Sequence, residues 1–367
     1  MKKAAFLTCT FFIVFTGICG VALPRTAKGS SSVWDYLRAM VLIPGISGQE
    51  EKVMQFIQAE LPPGFEPERD EKGNLWFTIG SGHPHLLFIA HADELGFTVG
   101  EITPQGTLKV KGRGGFLPQV CEAQPFIIHA AKGPVESILF PRQDFTSSDP
   151  KPFNPESYEL YLGASSEQEA RDLGVKEGDQ VIFKKTIVDL APGLLATRAV
   201  DDRAGCAALL AAAVDIDWSR VKSRAVTFAW SVEEEIGLNG ARALAQILKP
   251  DYVFAVDTFV STDSPLENKR FGEARLSQGA VIRAIDSSNI TPKTELRRVI
   301  GLAREKGLPV QARNSRGGND GSVFVAGGAA NIPLSWPGAY AHSFIEKIDR
   351  RDLETLTDLI KVLVMVF

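Results

Sequence analysis

Three short apolar runs in this chain each end in residues that ionise or bind metals. His85–Ala90 leads into His91-Ala92-Asp93, Ala225–Val232 into Glu233-Glu234-Glu235, and Tyr252–Val256 into Asp257. Asp201-Asp202 stands directly before an Ala- and Leu-rich stretch that begins at Arg203. One histidine, several carboxylates and no cysteine make a donor set for Zn²⁺, Co²⁺ or Mn²⁺. His91 and Asp93 lie two apart on an extended chain and therefore point the same way. Asp93 can then hold the imidazole by its second nitrogen. Glu234 and Glu235 are adjacent and are expected to point apart, one binding metal while its neighbour stays free as a base. That combination suits metal-assisted hydrolysis, in which a water is deprotonated and attacks a carbonyl. Taken singly, each residue is bland: an Asp before a helix is ordinarily an N-cap, and a Glu run is ordinarily a solvated face. Their common placement carries the reading.

The apolar runs have the composition of strands buried on both faces of a parallel sheet. In such a sheet, side chains just beyond the carboxyl ends of the strands line one crevice where ligands bind. Helical spacing recurs at 203–216, 241–248, 295–305 and 351–366, and alternation of strand and helix implies right-handed crossovers. Residues 31–60 read as helix, interruption, helix. Pro44-Gly45-Ile46-Ser47-Gly48 breaks the pattern, and Ser47 with Glu50 forms a capping-box signature for the second helix. Between 97 and 187 the texture changes to short alternating runs such as Leu108-Lys109-Val110-Lys111, separated by Gly, Pro and Asp. This predicts a small antiparallel β domain with one helix near 166–173. The expected organisation is a catalytic α/β domain in two parts, 31–96 and 188–367, interrupted by a β insert at 97–187.

With 367 residues, 44% hydrophobic and 23% charged, the chain has ordinary globular composition. A net charge of −4 gives no bulk attraction for nucleic acid or an anionic membrane. Lys2 and Lys3, the uncharged run Ala4 to Ile18 and Gly20-Val21-Ala22 have the layout of a secretory signal peptide over 1–22. The protein is thus expected in the periplasm or outside the cell, with no stable membrane partner after cleavage; a retained anchor is the alternative. Cys9 and Cys19 fall in this segment. Cys121 and Cys206 remain, too few for a disulfide framework. An exported protein could pair them, but Cys206 sits in a helical pattern as a small buried hydrophobe.

Six motifs then occur in a telling order. They are Pro44-Gly45-Ile46-Ser47-Gly48, Ala90-His91-Ala92-Asp93-Glu94-Leu95-Gly96, Val200-Asp201-Asp202-Arg203-Ala204-Gly205-Cys206, Glu234-Glu235-Ile236-Gly237-Leu238-Asn239-Gly240-Ala241, Gly317-Gly318-Asn319-Asp320, and Ala341-His342-Ser343 with Glu346. Over essentially the whole mature chain this resembles the tetrahedral dinuclear metallo-aminopeptidases, filed as glutamyl or deblocking aminopeptidases or "cellulase M". The resemblance implies a zinc-peptidase type of α/β fold with two divalent ions per subunit, Zn²⁺ foremost, and a peptide substrate. It makes Asp201 the bridge between the ions, with His91 and Asp257 completing one site and Glu235 and His342 the other. Glu234 becomes the general base and Asp93 the residue orienting His91. The insert corresponds to the family's dimerisation domain, whose dimers assemble into a hollow dodecamer.

This chain departs from the family pattern in places. Asn319 stands where Thr is usual, Trp336 to Tyr340 lacks the usual Arg, and Tyr161-Leu162-Gly163-Ala164 replaces Asp-Ile-Gly-Ala. All implied metal ligands are present, so the departures bear on substrate contacts or assembly. Two other readings compete: a deacylase or carboxypeptidase of the same fold, and a catalytically silent peptide-binding protein. Glycoside hydrolysis fits poorly, because it needs two carboxyls roughly 5–9.5 Å apart across a sugar. His83, His85 and His129 need no function, and Gly114-Gly115 and Gly317-Gly318 read as turns.

Overall fold

The pattern of the three apolar runs sets the architecture, because each run has to be covered on both sides. The structure, a computed structural model, describes residues 32–115, 118–141, 146–149, 154, 157, 159–261 and 273–367. The segment read as a signal peptide lies outside these residues, as does most of the Pro-rich stretch 141–155. Among the described residues, no helix is long and apolar enough to cross a membrane.

Helices α1 (Val33–Met40) and α2 (Glu51–Glu60) lead into strands β1 (Glu68–Arg69), β2 (Leu75–Gly80) and β3 (His85–His91). The chain then enters the insert through β4 (Gly96–Ile102), β5 (Leu108–Arg113), β6 (Pro125–Ala130), β7 (Gly133–Leu139), β8 (Glu159–Tyr161), α3 (Glu167–Asp172) and β9 (Gln180–Phe183). It returns through β10 (Val188–Asp189), β11 (Leu194–Thr197), α4 (Val200–Asp215), β12 (Ala225–Ser231), α5 (Asn239–Ile247) and β13 (Tyr252–Ala255). Helices α6 (Lys293–Glu305) and α7 (Arg350–Val366) belong to the closing part of the chain.

The central sheet has the order β1-β2-β12-β3-β13 followed by Ala330–Asn331. From β12 to its far edge it is parallel, while β2 runs antiparallel to β12. Strand alternation divides the side chains between two layers. Leu86, Phe88 and Ala90 join Val226, Phe228, Trp230 and Phe254 in a core closed by α1, α2, α4 and α7. Leu87, Ile89, Ala229, Val253 and Ala255 face the other way, against Ala241 and Leu244 of α5 and against Phe324. Helix α4 is buried on nearly every side from Val200 to Ala213, which explains its all-round Ala and Leu composition.

The insert closes as a barrel in the order β4-β5-β8-β7-β6-β9. Here alternation is clean: Leu108 and Val110 of β5 are buried while Lys109 and Lys111 are exposed. One face of each strand packs inside the barrel and the other meets solvent, which is the physical difference from the doubly covered β3. Cys121 and Cys206 are both buried and unpaired.

The capping box expected at Ser47 and Glu50 does not form. Helix α2 begins at Glu51 without a side-chain cap. The Ser47 hydroxyl is diverted to Asp93 Oδ2 at 2.6 Å, and Glu50 Oε1 accepts from the Gly48 and Glu233 amides. Tertiary hydrogen bonds to buried partners outcompeted the local cap.

Both crossings between α/β layer and barrel are pinned by one buried ion cluster. Glu94, just before β4, and Lys185, just after β9, meet at 2.6 Å, and Arg203 of α4 lies 3.4 Å from the same Glu94 oxygen. Arg203 also donates to the carbonyls of Met40 and Ile43. Burial lowers the Lys185 ammonium to about 8 even with Glu94 opposing that shift. Removing one member of such a cluster leaves uncompensated charge in the interior. Glu94→Leu is therefore expected to destabilise the fold by about 3–5 kcal/mol, read from urea unfolding. Adding Lys185→Met should recover part of that loss, since it removes the stranded ammonium.

Candidate metal centre

Strand ends and one kinked helix start bring the ionisable residues together. His91 is the last residue of β3 and pairs in register with Ser231, the last residue of β12. Asp257 follows β13. Asp201 and Asp202 open α4 but carry non-helical backbone angles, so their side chains are freed from the helical direction. His342 comes from the loop before Glu346–Asp349.

Asp201 lies between the two histidines. Its Oδ1 is 3.3 Å from His91 Nε2 and its Oδ2 is 3.6 Å from His342 Nε2. His342 Nε2 is 3.5 Å from Glu235 Oε1. Ligand atoms of His91, Asp201 and Asp257 lie within 4.8 Å of one another, as do those of Asp201, Glu235 and His342. Each group could hold one ion, with Asp201 common to both. Asp201 Oδ1 is also buried without a hydrogen-bond partner, as suits an oxygen whose natural partner is a cation.

Glu234 Oε2 is 4.0 Å from His91 Nε2, and Glu234, Glu235 and His91 also form a close group. The expectation that the two glutamates point apart is thus only half met. They sit on a turn beyond the end of β12, where strand alternation no longer applies, and both reach the centre, one toward each histidine.

The surrounding residues fix this geometry. Asp93 Oδ1 is 3.3 Å from His91 Nδ1. The Asp93 carboxylate also accepts from the amides of Glu234 and Glu235, at 3.0 and 3.1 Å, and from the Ser47 hydroxyl. One buried aspartate thereby aligns a histidine and the backbone of both glutamates. Asp202 accepts from the His91 amide at 3.1 Å, while the Cys206 thiol donates to the His91 carbonyl. Gly205 makes room for Asp202, since a Cβ there would fall 2.3 Å from Asp202 Oδ1.

Three contributors were given no role at the centre from the sequence, although Asp320 lies in one of the six motifs. Arg283, fully buried, lies 3.4 Å from Asp257 Oδ1 and donates to Ser335, Gly318 and Thr258. A lone arginine inside the apolar run Ala280–Ile285 was its only trace. Asp320 accepts from Ser231. Gly114, read as a plain turn, takes φ +91° against the centre, where a Cβ would lie 3.2 Å from Glu235 Cβ and 2.1 Å from a Leu95 methyl. By contrast, His83 and His85 bond Asp251 and Thr227.

Crowded carboxylates resist ionisation here. Burial raises Glu235 to about 7, with His342 opposing and Asp201 adding. It raises Asp257 to about 6, with Arg283 opposing and Asp201 adding. Glu234 is pushed well above the carboxylate range by burial, then by Glu235, Asp257 and Asp320 against His91. Asp201 is the exception: burial works against its charge, yet His342 and His91 hold it far below the usual value. A centre this rich in carboxylate oxygen is short of positive charge, which divalent cations supply.

This arrangement can be set against known proteins. The profile of the M42 glutamyl aminopeptidase family matches residues 73–359. The chain belongs to that family. A glutamyl aminopeptidase of Lactococcus lactis is 28% identical over 327 residues, covering 85% of this chain and 90% of that protein. A lysyl aminopeptidase of Pyrococcus furiosus is 29% identical over 342 residues, covering 90% and 96%. Among solved structures, the TET1 peptidase of Pyrococcus horikoshii, described as assembling into a tetrahedron or a large octahedral shell, superposes with a TM-score of 0.84. It shares 33% identity over 92% of this chain and 100% of its own. The α/β fold with an inserted barrel and the aminopeptidase function expected from the motifs are those of the M42 family.

The Ser47–Asp93 bond generates a test within this M42 centre. Hydrogen bonds to charged groups contribute about 1.5–3 kcal/mol. Ser47→Ala is expected to lower stability by that order and to cut turnover of aminoacyl-anilides roughly tenfold, because Asp93 then holds His91 and the two glutamates less firmly. Calorimetry and steady-state kinetics on the same preparation check both parts.

Proposed function

We propose that this M42 aminopeptidase is an exported dinuclear metalloenzyme that releases N-terminal residues from short peptides. The observation that carries this reading is the position of Asp201, one oxygen toward each histidine, with Asp257 and Glu235 beside the respective pairs. Two sites of one imidazole, one private carboxylate and one shared carboxylate suit Zn²⁺, Co²⁺ or Mn²⁺. His91 and Asp257 would hold one ion, Glu235 and His342 the other, and Asp201 both. Bound there, the ions would supply Lewis acidity toward a carbonyl and a water.

The remaining work falls to the chain itself. Glu234, raised in pKa by burial, takes the proton of the attacking water at its carboxylate. It then passes that proton to the leaving amine nitrogen. Asp93 keeps His91 in the orientation that presents Nε2 to the centre. Its bonds to the Glu234 and Glu235 amides hold base and ligand at a fixed separation. Export rests on the layout of segment 1–22, and N-terminal sequencing of protein recovered outside the cytoplasm should begin near Leu23 if it is cleaved; no such species is expected from a retained anchor. Assembly of the chain into dimers and a dodecamer is supported by the shell-forming relatives. Light scattering on the mature protein reads it directly.

Two experiments test the chemistry. Chelation should abolish hydrolysis of free-amine aminoacyl-anilides, and Zn²⁺, Co²⁺ or Mn²⁺ should restore it, while N-acetylated controls stay uncleaved. Cleavage of the acetylated controls would favour a deacylase or endopeptidase instead. Separately, Glu234→Gln should reduce kcat by about 10²–10⁴-fold with metal content unchanged. Unaltered turnover in that variant would remove Glu234 from the role of base.

A further inference from the structure

The two proposed ion positions are built differently, and the difference leads to a residue pair with no assigned role. His91 is buried at a strand end, and Asp257 just beyond one is held by buried Arg283. The His342 side chain, in contrast, comes from a loop and is 40% exposed. Its loop also carries two non-glycine residues in the left-handed region, Tyr340 at φ +66° and His342 at φ +61°. Such a backbone persists only when the surroundings over-determine it.

Two buried side chains supply that determination. Glu346 Oε1 accepts from the His342 amide at 3.3 Å, and Glu346 Oε2 accepts from the Asp201 amide at 3.1 Å. One carboxylate thus spans the backbone of the shared ligand and of a ligand private to the second position. Arg198 completes the clamp. Its Nη1 lies 3.5 Å from Glu346 Oε1 and donates to the Ser343 carbonyl at 2.7 Å. Its Nη2 donates to the Leu95 carbonyl at 2.8 Å, and its guanidinium lies over the Phe183 ring of β9. Arg198 and Glu346 are 2% and 4% exposed, so water cannot replace these bonds.

We infer that Arg198 and Glu346 are a positioning pair for the second ion, holding His342 at the distance from Asp201 that the Glu235–His342 position requires. Neither touches the reacting atoms; both act through the backbone of Asp201, His342 and Ser343. Asp93 serves both positions, through His91 and the Glu235 amide, while the first has further supports in Asp202, which holds the His91 amide, and in Arg283 beside Asp257. Loss of the clamp should therefore be felt unequally by the two ions. This inference rests on the dinuclear reading above.

Glu346→Gln tests it, because the carboxamide keeps the shape but has only one accepting oxygen for two amides. Metal-free mature protein would be titrated with CoCl₂, followed by calorimetry and by the visible absorption of bound Co²⁺. Wild type should bind two ions. The variant should bind the first within about threefold of wild-type affinity and the second at least tenfold more weakly, with the first-ion spectrum retained. Equal weakening of both ions would reduce the pair to a general structural role, and no change in either would remove it altogether. A wild type that binds a single ion would overturn the dinuclear reading itself, a result distinct from failure of the clamp. Should Glu346→Gln not fold, Arg198→Lys reads the same quantity. It keeps a charge beside Glu346 but cannot bridge the Ser343 and Leu95 carbonyls together, and the same one-sided loss is expected.

Discussion

Everything around this centre follows from placing carboxylates where water is scarce. Asp201, Asp257 and Glu235 are all buried or nearly so, and burial together with the Asp201 charge opposes ionisation of the other two. Like charges at such separations in a weakly screening interior are strongly unfavourable. Two imidazoles and Arg283, 3.4 Å from Asp257, offset only part of that repulsion. The fold must supply enough stability elsewhere to keep these groups together until cations arrive. The doubly covered sheet does so: fully burying an aromatic such as Phe88, Phe228 or Phe254 contributes about 1.5–3 kcal/mol. Phe88 and Phe254 stack with ring centroids 4.7 Å apart directly beneath the strand ends that carry the site.

Rigidity at the centre is achieved mainly through backbone groups. Asp93, Asp202 and Glu346 each bind two amides, and the Cys206 thiol a carbonyl. A carboxylate that holds peptide groups fixes the chain from which a ligand springs, without competing for the ligand's own donor atoms. That separation of tasks explains how one small region contains so many acidic residues. Some of the backbone strain also falls here, since Ala199, Glu233 and His342 have positive φ and each is, or lies close in sequence to, a residue of the centre.

The sequence disclosed the architecture because periodicity is a strong signal in long elements. Helix α7 repeats apolar residues at Leu353, Leu356, Ile360 and Leu363, and β3 is apolar over most of its length. The residues of the centre were legible because each follows an apolar run or sits within a motif. What stayed hidden depends on contacts distant in sequence. Ser47 reads locally as a cap, yet bonds an aspartate forty-six positions away. Arg283 reaches Asp257 from another strand, and Gly114 approaches Glu235 from the barrel. For Glu234 and Glu235 only the directions differed from expectation, because alternation holds within a strand and both lie on the turn beyond it.

The point of insertion of the barrel has consequences for chemistry. The chain leaves the α/β layer at Leu95–Gly96, immediately after Asp93 and Glu94, and returns at Lys185, which is bonded to Glu94. The insert is thus anchored at the rim of the centre, and Gly114 and Phe183 bring it against Glu235 and Arg198. A barrel placed there can form one wall of the space in front of the candidate ligands while its far side remains available for other contacts. Change in the barrel strands can then alter what reaches the centre without touching a ligand. The departures of this chain from the usual motifs at 161–164, 319 and 336–340 spare every candidate ligand in the same way. Asn319, for instance, is engaged with Asp286 and Asn331 and so supports the segment that carries Asp320.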